Sequence, residues 1–140
     1  MKIVVLGAGA MGSLFGGYLS RHNDVWLVDV SETTVDAINA NGVKVREKDG
    51  SENVFHPKAC IDSSKAGIGK ADLVVTFVKS MYTVAALENN KDVIGLETYI
   101  MTLQNGAGHE SKLLKFADKE HVIIGSTQHN SSVLGPGHVF

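Results

Sequence analysis

The sequence has little of what several common classes of protein require. Its 140 residues contain one cysteine, Cys60, which excludes an internal disulfide and fits a reducing cytoplasm. Six histidines are scattered without an HExxH pattern or a Cys/His cluster, so we predict no metal site. Thirteen basic and fifteen acidic residues give a net charge of -2 with no basic block, which argues against a nucleic-acid partner. We expect a cytoplasmic globular domain spanning residues 1–140.

A long, uninterrupted apolar segment is also lacking. Residues 3–19 carry no charge and could pass for a signal peptide or a membrane helix, but glycines interrupt them at positions 7, 9, 12, 16 and 17. A helix that crosses a bilayer needs roughly 20 predominantly apolar residues. We therefore predict no membrane segment.

The N-terminal segment contains a glycine pattern between a short apolar run and a segment of helical periodicity. The pattern reads Gly7, Ala8, Gly9, Ala10, Met11, Gly12. In a strand-turn-helix unit, Gly7 makes the tight turn, Gly9 lets the backbone approach a pyrophosphate, and Gly12 lets the helix pack on the strand. The amides at the start of the helix would hold the phosphates. The pattern predicts a dinucleotide-binding loop.

An acid stands where a dinucleotide-binding unit recognises the adenosine ribose. Asp29 follows the next apolar run, about 20 residues beyond the glycine pattern. Its carboxylate would accept a hydrogen bond from the ribose 2′-hydroxyl and would repel a 2′-phosphate. No lysine or arginine lies between Asp29 and Val43 to bind such a phosphate. The residues favour NAD(H) over NADP(H), and an ordinary acid that opens a loop is the competing interpretation.

Apolar runs alternate with helical segments along the rest of the chain. We predict strands at 25–30, 71–78, 99–103 and 122–124, and helices after Ser31, at 81–90 and at 110–116. Residues 43–46 and 54–55, with Asp49-Gly50 between them, predict an inserted β-hairpin. Residues 61–70 predict a loop with at most a short helix. The alternation predicts an α/β fold of the Rossmann-like, doubly wound type with a mostly parallel sheet.

Two polar residues follow predicted strands, Lys79 after Val78 and Asn105 after Leu103. Ligands of an open parallel sheet bind beyond the carboxyl ends of its strands, so we expect both residues at the crevice of the glycine loop. A lysine could hold a ribose hydroxyl or an anionic substrate, and an asparagine could position a nicotinamide or a substrate hydroxyl. From position alone, a solvated lysine and an Asn-Gly turn are equally open.

Two further side chains each have two interpretations. His129 could donate a proton to a carbonyl at neutral pH, but its polar neighbours favour a structural role. Tyr82, three residues after Lys79, could cover a face of a cofactor or pack on its own helix. The sequence leaves both alternatives open.

Four motifs follow the glycine pattern in an order that resembles a known family. They are Val78-Lys79-Ser80, Leu103-Gln104-Asn105-Gly106-Ala107-Gly108, Gly125-Ser126-Thr127-Gln128-His129 and Leu134-Gly135-Pro136-Gly137. Over its whole length the chain resembles the N-terminal domain of the ketopantoate reductase (2-dehydropantoate 2-reductase) family. The resemblance implies that residues 7–12 hold the cofactor pyrophosphate, that Lys79 and Asn105 line the nicotinamide and substrate crevice, and that the backbone near Ser131 touches the cofactor. It also implies NADP(H), the family's usual cofactor, where Asp29 favours NAD(H).

The resemblance further implies part of an oxidoreductase of pantothenate biosynthesis, in which hydride passes from the nicotinamide to a small-molecule 2-keto acid. The family's general-acid lysine belongs to a helical C-terminal domain, and the strand-like end at Val139-Phe140 suggests that the chain stops before it. We expect these residues alone to bind cofactor without turnover, with a homodimer as one option for the assembly. An NAD-binding sensor module of a potassium transport system and another NAD-dependent 2-hydroxyacid dehydrogenase remain alternatives.

Overall fold

The computed structural model describes residues 1–103, 108–125 and 131–140, which form two sheets. The larger sheet contains β1 (Lys2–Leu6), β2 (Asp24–Val28), β5 (Lys58–Cys60), β6 (Leu73–Thr76), β7 (Tyr99–Thr102) and β8 (Val122–Ile124). The smaller sheet contains β3 (Val43–Arg46), β4 (Glu52–Phe55), β9 (Val133–Gly135) and β10 (His138–Val139). The larger sheet has the order β5-β2-β1-β6-β7-β8, and each neighbouring pair is parallel.

Helices connect most of these strands. They are α1 (Ala10–Leu19), α2 (Glu32–Asn41), α3 (Ser63–Ala66), α4 (Thr83–Asn89) and α5 (His109–Leu113), and single 3₁₀ turns cover Ser80–Tyr82, Lys91–Val93 and Lys119–His121. The side chain of Ser31 accepts a hydrogen bond from the amide of Thr34 and so caps α2, which ends at Gly42 in a positive-φ conformation. Of the helices in the described ranges, none is long and apolar enough to cross a membrane.

The central strand β1 is buried on both faces. Its residues Ile3 and Val5 pack in one apolar cluster with α1, α2 and the smaller sheet, whereas Val4 and Leu6 pack in a second cluster with α3, α4 and α5. Successive side chains of a strand point to opposite faces, so the sheet carries helices on both sides. The Rossmann-like, doubly wound prediction is confirmed.

The predicted hairpin is confirmed, and the structure adds a second pair of strands to it. Antiparallel β3 and β4 align Val43 with Phe55. The strand β10 then pairs in parallel with β3, and β9 pairs with β10, which completes a sheet of order β4-β3-β10-β9. A Cβ on Gly17 of α1 would lie 3.0 Å from the Phe55 ring, so a glycine there lets this sheet pack closely on α1.

The strand β5 was missed, because its three residues are too few to show a periodicity. It pairs in parallel with β2 at the edge of the larger sheet. On its other side, the side-chain amide of Asn39 on α2 donates to the carbonyl oxygen of Ala59 and accepts from its amide, both at 3.0 Å. The side chain of Asn39 thus satisfies the backbone donor and acceptor of Ala59 at the outer edge of β5. The short helix allowed within residues 61–70 is α3. The strands β2 and β6 end two residues earlier than predicted, at Val28 and Thr76.

Replacement of Gly12 should disrupt the contact between α1 and β1. A Cβ at this position would lie 1.7 Å from the carbonyl oxygen of Gly7, a backbone atom that no rotamer change can remove. We expect Gly12→Ala to lower the free energy of unfolding by at least about 3 kcal/mol in urea denaturation. Gly9→Ala is the matched control: its Cβ would meet no atom within 4 Å, and we expect a loss of no more than about 1 kcal/mol. Equal stability of the two variants would contradict the close contact.

Candidate functional site

The parallel sheet brings the residues that follow its strands to one edge. Gly7 follows β1, Asp29 follows β2, Asp62 lies two residues beyond β5, and Lys79 lies three residues beyond β6. This carboxyl edge is where open α/β sheets bind their ligands. The topology therefore places the glycine loop and three charged residues at the same edge.

The glycine loop makes a tight turn from β1 into α1. Gly7 has a φ of 103°, which other residues rarely adopt, and its amide donates to the carbonyl oxygen of Val28 at 2.8 Å. A Cβ on Gly7 would lie 3.0 Å from the amide nitrogen of Val78, two residues beyond the neighbouring strand β6. Backbone packing within the protein thus explains the glycines at positions 7 and 12.

Packing does not explain Gly9. This residue is exposed, its backbone is extended, and a Cβ there would meet no protein atom within 4 Å. Gly9 is also the N-cap of α1, and no side chain caps this helix, whereas Ser31 caps α2 and Asp62 caps α3. Open space beside uncapped helical amides fits a phosphate, which accepts hydrogen bonds and complements the helix dipole. The donor set and the space suit the pyrophosphate of a dinucleotide.

Asp29 is hydrogen-bonded to the glycine loop itself. Its Oδ2 accepts from the amide of Ala8 at 2.7 Å, and its Oδ1 accepts from the amide of Ser31 at 2.8 Å. A carboxylate has about four lone-pair positions, so each oxygen retains capacity for another donor. Asp29 thus links the loop to the end of β2 and can still accept ribose hydroxyls.

Two concave regions flank this link. The strand-end crevice, of about 600 Å³, lies between the ends of β1, β2, β5 and β6 and α4, and both Gly7 and Asp29 line it. The hairpin cleft, of about 260 Å³, lies between Gly9, Asp29 and the turn from β9 to β10. Of the described residues that line either region, Asp29 and Asp62 carry charge and none is a lysine or an arginine.

The sequence analysis missed Asp62 as a site residue. Hydrogen bonds from the Ser64 side chain and from the amides of Lys65 and Ser64 lower the pKa of its carboxyl group, so Asp62 is ionised at neutral pH. Its place at the crevice follows from β5, and a correct assignment of that strand would have put it at the carboxyl edge. Tyr82 lies in the wall of the same crevice with 56% of its surface exposed, which favours the first of its two interpretations.

Cys60 has no activated thiol. Burial raises its pKa, with further contributions from the charges of Asp62 and Asp92, to about 11. The thiol is therefore protonated at neutral pH and is a poor nucleophile.

Of the remaining predicted site residues, the structure describes Lys79 and Ser131. Lys79 is exposed at the start of the 3₁₀ turn and is not among the residues that line the strand-end crevice or the hairpin cleft. No described residue forms a hydrogen bond or ion pair with its ammonium group. The hydroxyl of Ser131 is buried and has no hydrogen-bond partner among the described residues. Asn105, in the segment 104–107, and His129, in the segment 126–130, lie outside the described residues.

The fold and the loop geometry define the class of this chain as a Rossmann-type dinucleotide-binding domain. The family model "Ketopantoate reductase PanE/ApbA" matches residues 3–140. The chain therefore belongs to the ketopantoate reductase family.

Relatives and solved structures agree with this assignment. The chain is 35% identical to 2-dehydropantoate 2-reductase of Lactococcus lactis, with 98% of the chain and 44% of the relative aligned. A crystal structure described as a putative 2-dehydropantoate 2-reductase from Enterococcus faecalis superimposes with a TM-score of 0.88 at 34% identity, over 99% of this chain and 45% of that one. The ternary structure of D-mandelate dehydrogenase with NADH and anilino(oxo)acetate superimposes with a TM-score of 0.90 at 34% identity, again over 99% of this chain and 45% of that one. The chain thus spans less than half the length of these relatives.

Replacement of Asp29 should weaken the loop even without a ligand. Asp29→Ala leaves the part-buried amides of Ala8 and Ser31 without their acceptor, and we expect the free energy of unfolding to fall by about 1–3 kcal/mol in thermal or urea denaturation. Asp29→Asn, which keeps one acceptor oxygen, should lose less. Asp36→Ala, an exposed acid on α2, is the control that removes the same charge. An Asp29→Ala variant as stable as this control would argue against the link.

Proposed function

We propose that the chain is the cofactor-binding portion of an NAD(P)-dependent 2-keto acid reductase of the 2-dehydropantoate 2-reductase type. One observation supports this most strongly: the uncapped start of α1 at exposed Gly9 lies beside a carboxylate bound to the same loop. Membership of the ketopantoate reductase family supports the reaction class. The domain would span residues 1–140 and act on a small-molecule substrate.

The residues of the chain would bind and orient the reactants. A bound nicotinamide supplies the hydride for reduction of the keto group. The amides of Ala10, Met11 and Gly12 hold the pyrophosphate, and Asp29 accepts hydrogen bonds from the adenosine ribose. Lys79, which lines neither concave region described above, and Asn105 would line the nicotinamide and substrate crevice, where the ammonium group would attract the substrate carboxylate. The backbone near Ser131 contacts the cofactor, and its buried hydroxyl offers that contact a polar partner.

The charges at the site favour NAD(H) over NADP(H). A 2′-phosphate at the ribose would face Asp29 and Asp62, and no described residue lining the two concave regions offers a positive charge. Burying an unpaired phosphate beside carboxylates is unfavourable. The NADH complex of D-mandelate dehydrogenase, a relative of equal identity, is consistent with this preference.

A second candidate is another NAD-dependent 2-hydroxyacid dehydrogenase. The chain is as similar to D-mandelate dehydrogenase as it is to the Enterococcus faecalis structure, and their TM-scores of 0.90 and 0.88 do not separate them. The two candidates share the cofactor site and differ in the substrate. Rates with ketopantoate and with aromatic 2-keto acids, measured on a complete reductase that carries these residues, would distinguish them.

Titration of the purified chain with NADH and NADPH tests the cofactor proposal. We expect NADH to bind at least about tenfold more tightly, because a 2′-phosphate would face two carboxylates. Gly9→Ala should weaken both dinucleotides, since its methyl group fills the space left for the pyrophosphate, while the fold persists. Tighter binding of NADPH would refute the preference, and absence of binding to either would refute the cofactor site.

Substitution of Lys79 and Asn105 tests the reductase proposal in a complete reductase. We expect Lys79→Ala and Asn105→Ala each to lower kcat/KM for the keto acid by about a hundredfold, because each removes a group that positions or stabilises the reacting atoms. Lys65→Ala on α3 is the control for loss of a surface lysine. If both site variants retain full turnover, the roles proposed for Lys79 and Asn105 are wrong. A complete protein that binds dinucleotide but reduces no keto acid would instead favour the nucleotide-sensing module.

A further inference from the structure

A lysine joins the two segments that carry the proposed substrate residues. Lys112 lies on α5, which begins at His109, shortly after Asn105. Its ammonium group donates a hydrogen bond to the carbonyl oxygen of Ser80 at 2.9 Å. Ser80 directly follows Lys79 in the segment beyond β6. One side chain therefore connects the segment that follows β7 to the segment that follows β6.

The segment that Lys112 contacts lies at the surface of the molecule. Each residue from 79 to 82 is exposed, and none of them belongs to either apolar cluster of the core. Its 3₁₀ turn is closed by the amide of Tyr82, which donates to the carbonyl oxygen of Lys79 at 2.8 Å. Exposed backbone with few buried contacts opens locally at a low free-energy cost. A hydrogen bond from a separate helix therefore restricts how this segment can move.

The carbonyl oxygen of Ser80 accepts two hydrogen bonds of different origin. The amide of Thr83 at the start of α4 donates to it along the chain, and Lys112 donates to it from α5. A carbonyl oxygen has two lone pairs, so each donor has its own acceptor position. Lys112 is also partly buried, whereas Lys115 just beyond the same helix is exposed. The bond from Lys112 thus adds a restraint that the local turn does not provide.

We propose that Lys112 is a positioning residue of the reductase, which holds the segment 79–82 so that the ammonium group of Lys79 meets the keto acid. The inference rests on the proposed function and on the role given there to Lys79, and it extends that role to a residue that contacts neither substrate nor cofactor. A displacement of about 1 Å in a reacting group can lower the rate about a hundredfold. Loss of the bond to Ser80 should therefore affect catalysis more than it affects folding.

Lys112→Met tests this role in a complete reductase that carries these residues. Methionine keeps most of the apolar stem but has no donor, so we expect kcat/KM for the keto acid to fall about tenfold, the usual effect of one hydrogen bond to a charged group. The Kd of the dinucleotide should stay within about twofold, because the glycine loop and Asp29 are unchanged. Lys112→Arg retains donors and should restore most of the loss. Lys115→Met is the matched control, which removes the same charge from an exposed lysine and should leave kcat/KM unchanged.

A double-mutant cycle distinguishes positioning from a general structural effect. If Lys112 acts through Lys79, Lys112→Met should lower kcat/KM no more than about twofold in a Lys79→Ala background, against about tenfold in the unmodified enzyme. An equal loss in both backgrounds, or a loss no larger than that of Lys115→Met, overturns the inference and leaves the proposed function standing. If Lys79→Ala alone retains full turnover, the role proposed for Lys79 is wrong, and the inference is wrong with it.

Discussion

The close packing of α1 against both sheets determines the geometry of the rest of the molecule. Glycines at three positions permit it: a Cβ would lie 1.7 Å from a Gly7 backbone oxygen at Gly12, 2.5 Å from a Leu27 methyl at Gly16, and 3.0 Å from the Phe55 ring at Gly17. The helix therefore lies against the larger sheet on one side and the smaller sheet on the other. This contact holds the N-terminus of α1 at the carboxyl edge of β1, where its first amides are uncapped.

The carboxylates at the carboxyl edge stabilise the protein itself and also line the site of the proposed complex. Asp29 accepts one backbone amide from the glycine loop and one from the start of α2, so it holds the loop in place before a ribose arrives. Asp62 caps α3 with one oxygen and presents the other to the crevice. Because both orientations are fixed in advance, little side-chain entropy is lost on binding.

Local patterns in the sequence were sufficient for the central part of the fold. The run from Lys2 to Leu6, the glycine pattern and the Ser31 cap each determine their own structure through burial, turn geometry or capping, and each was predicted. By contrast, β5, β9 and β10 have two or three residues each. β5 and β10 pair with strands far away in the chain, and β9 pairs with β10. Asp62 was not predicted as a site residue because β5, the strand that it follows, was not predicted. Lys79 lies three residues beyond β6, and its role at the crevice stays a prediction, as does that of Asn105, which lies outside the described residues.

The smaller sheet has a consequence for the order in which the molecule assembles. Val45 of β3 pairs with Val139 of β10, so most of the chain separates these two strands, while β3 and β4 are neighbours joined by a short turn. Contacts between distant segments require more loop-closure entropy and form more slowly. During synthesis, the hairpin and α1 can associate well before β10 leaves the ribosome. The hairpin cleft is the concave region beside Gly9 and Asp29, and the turn between β9 and β10 forms one of its walls. It is therefore among the last parts of the cofactor site to be completed.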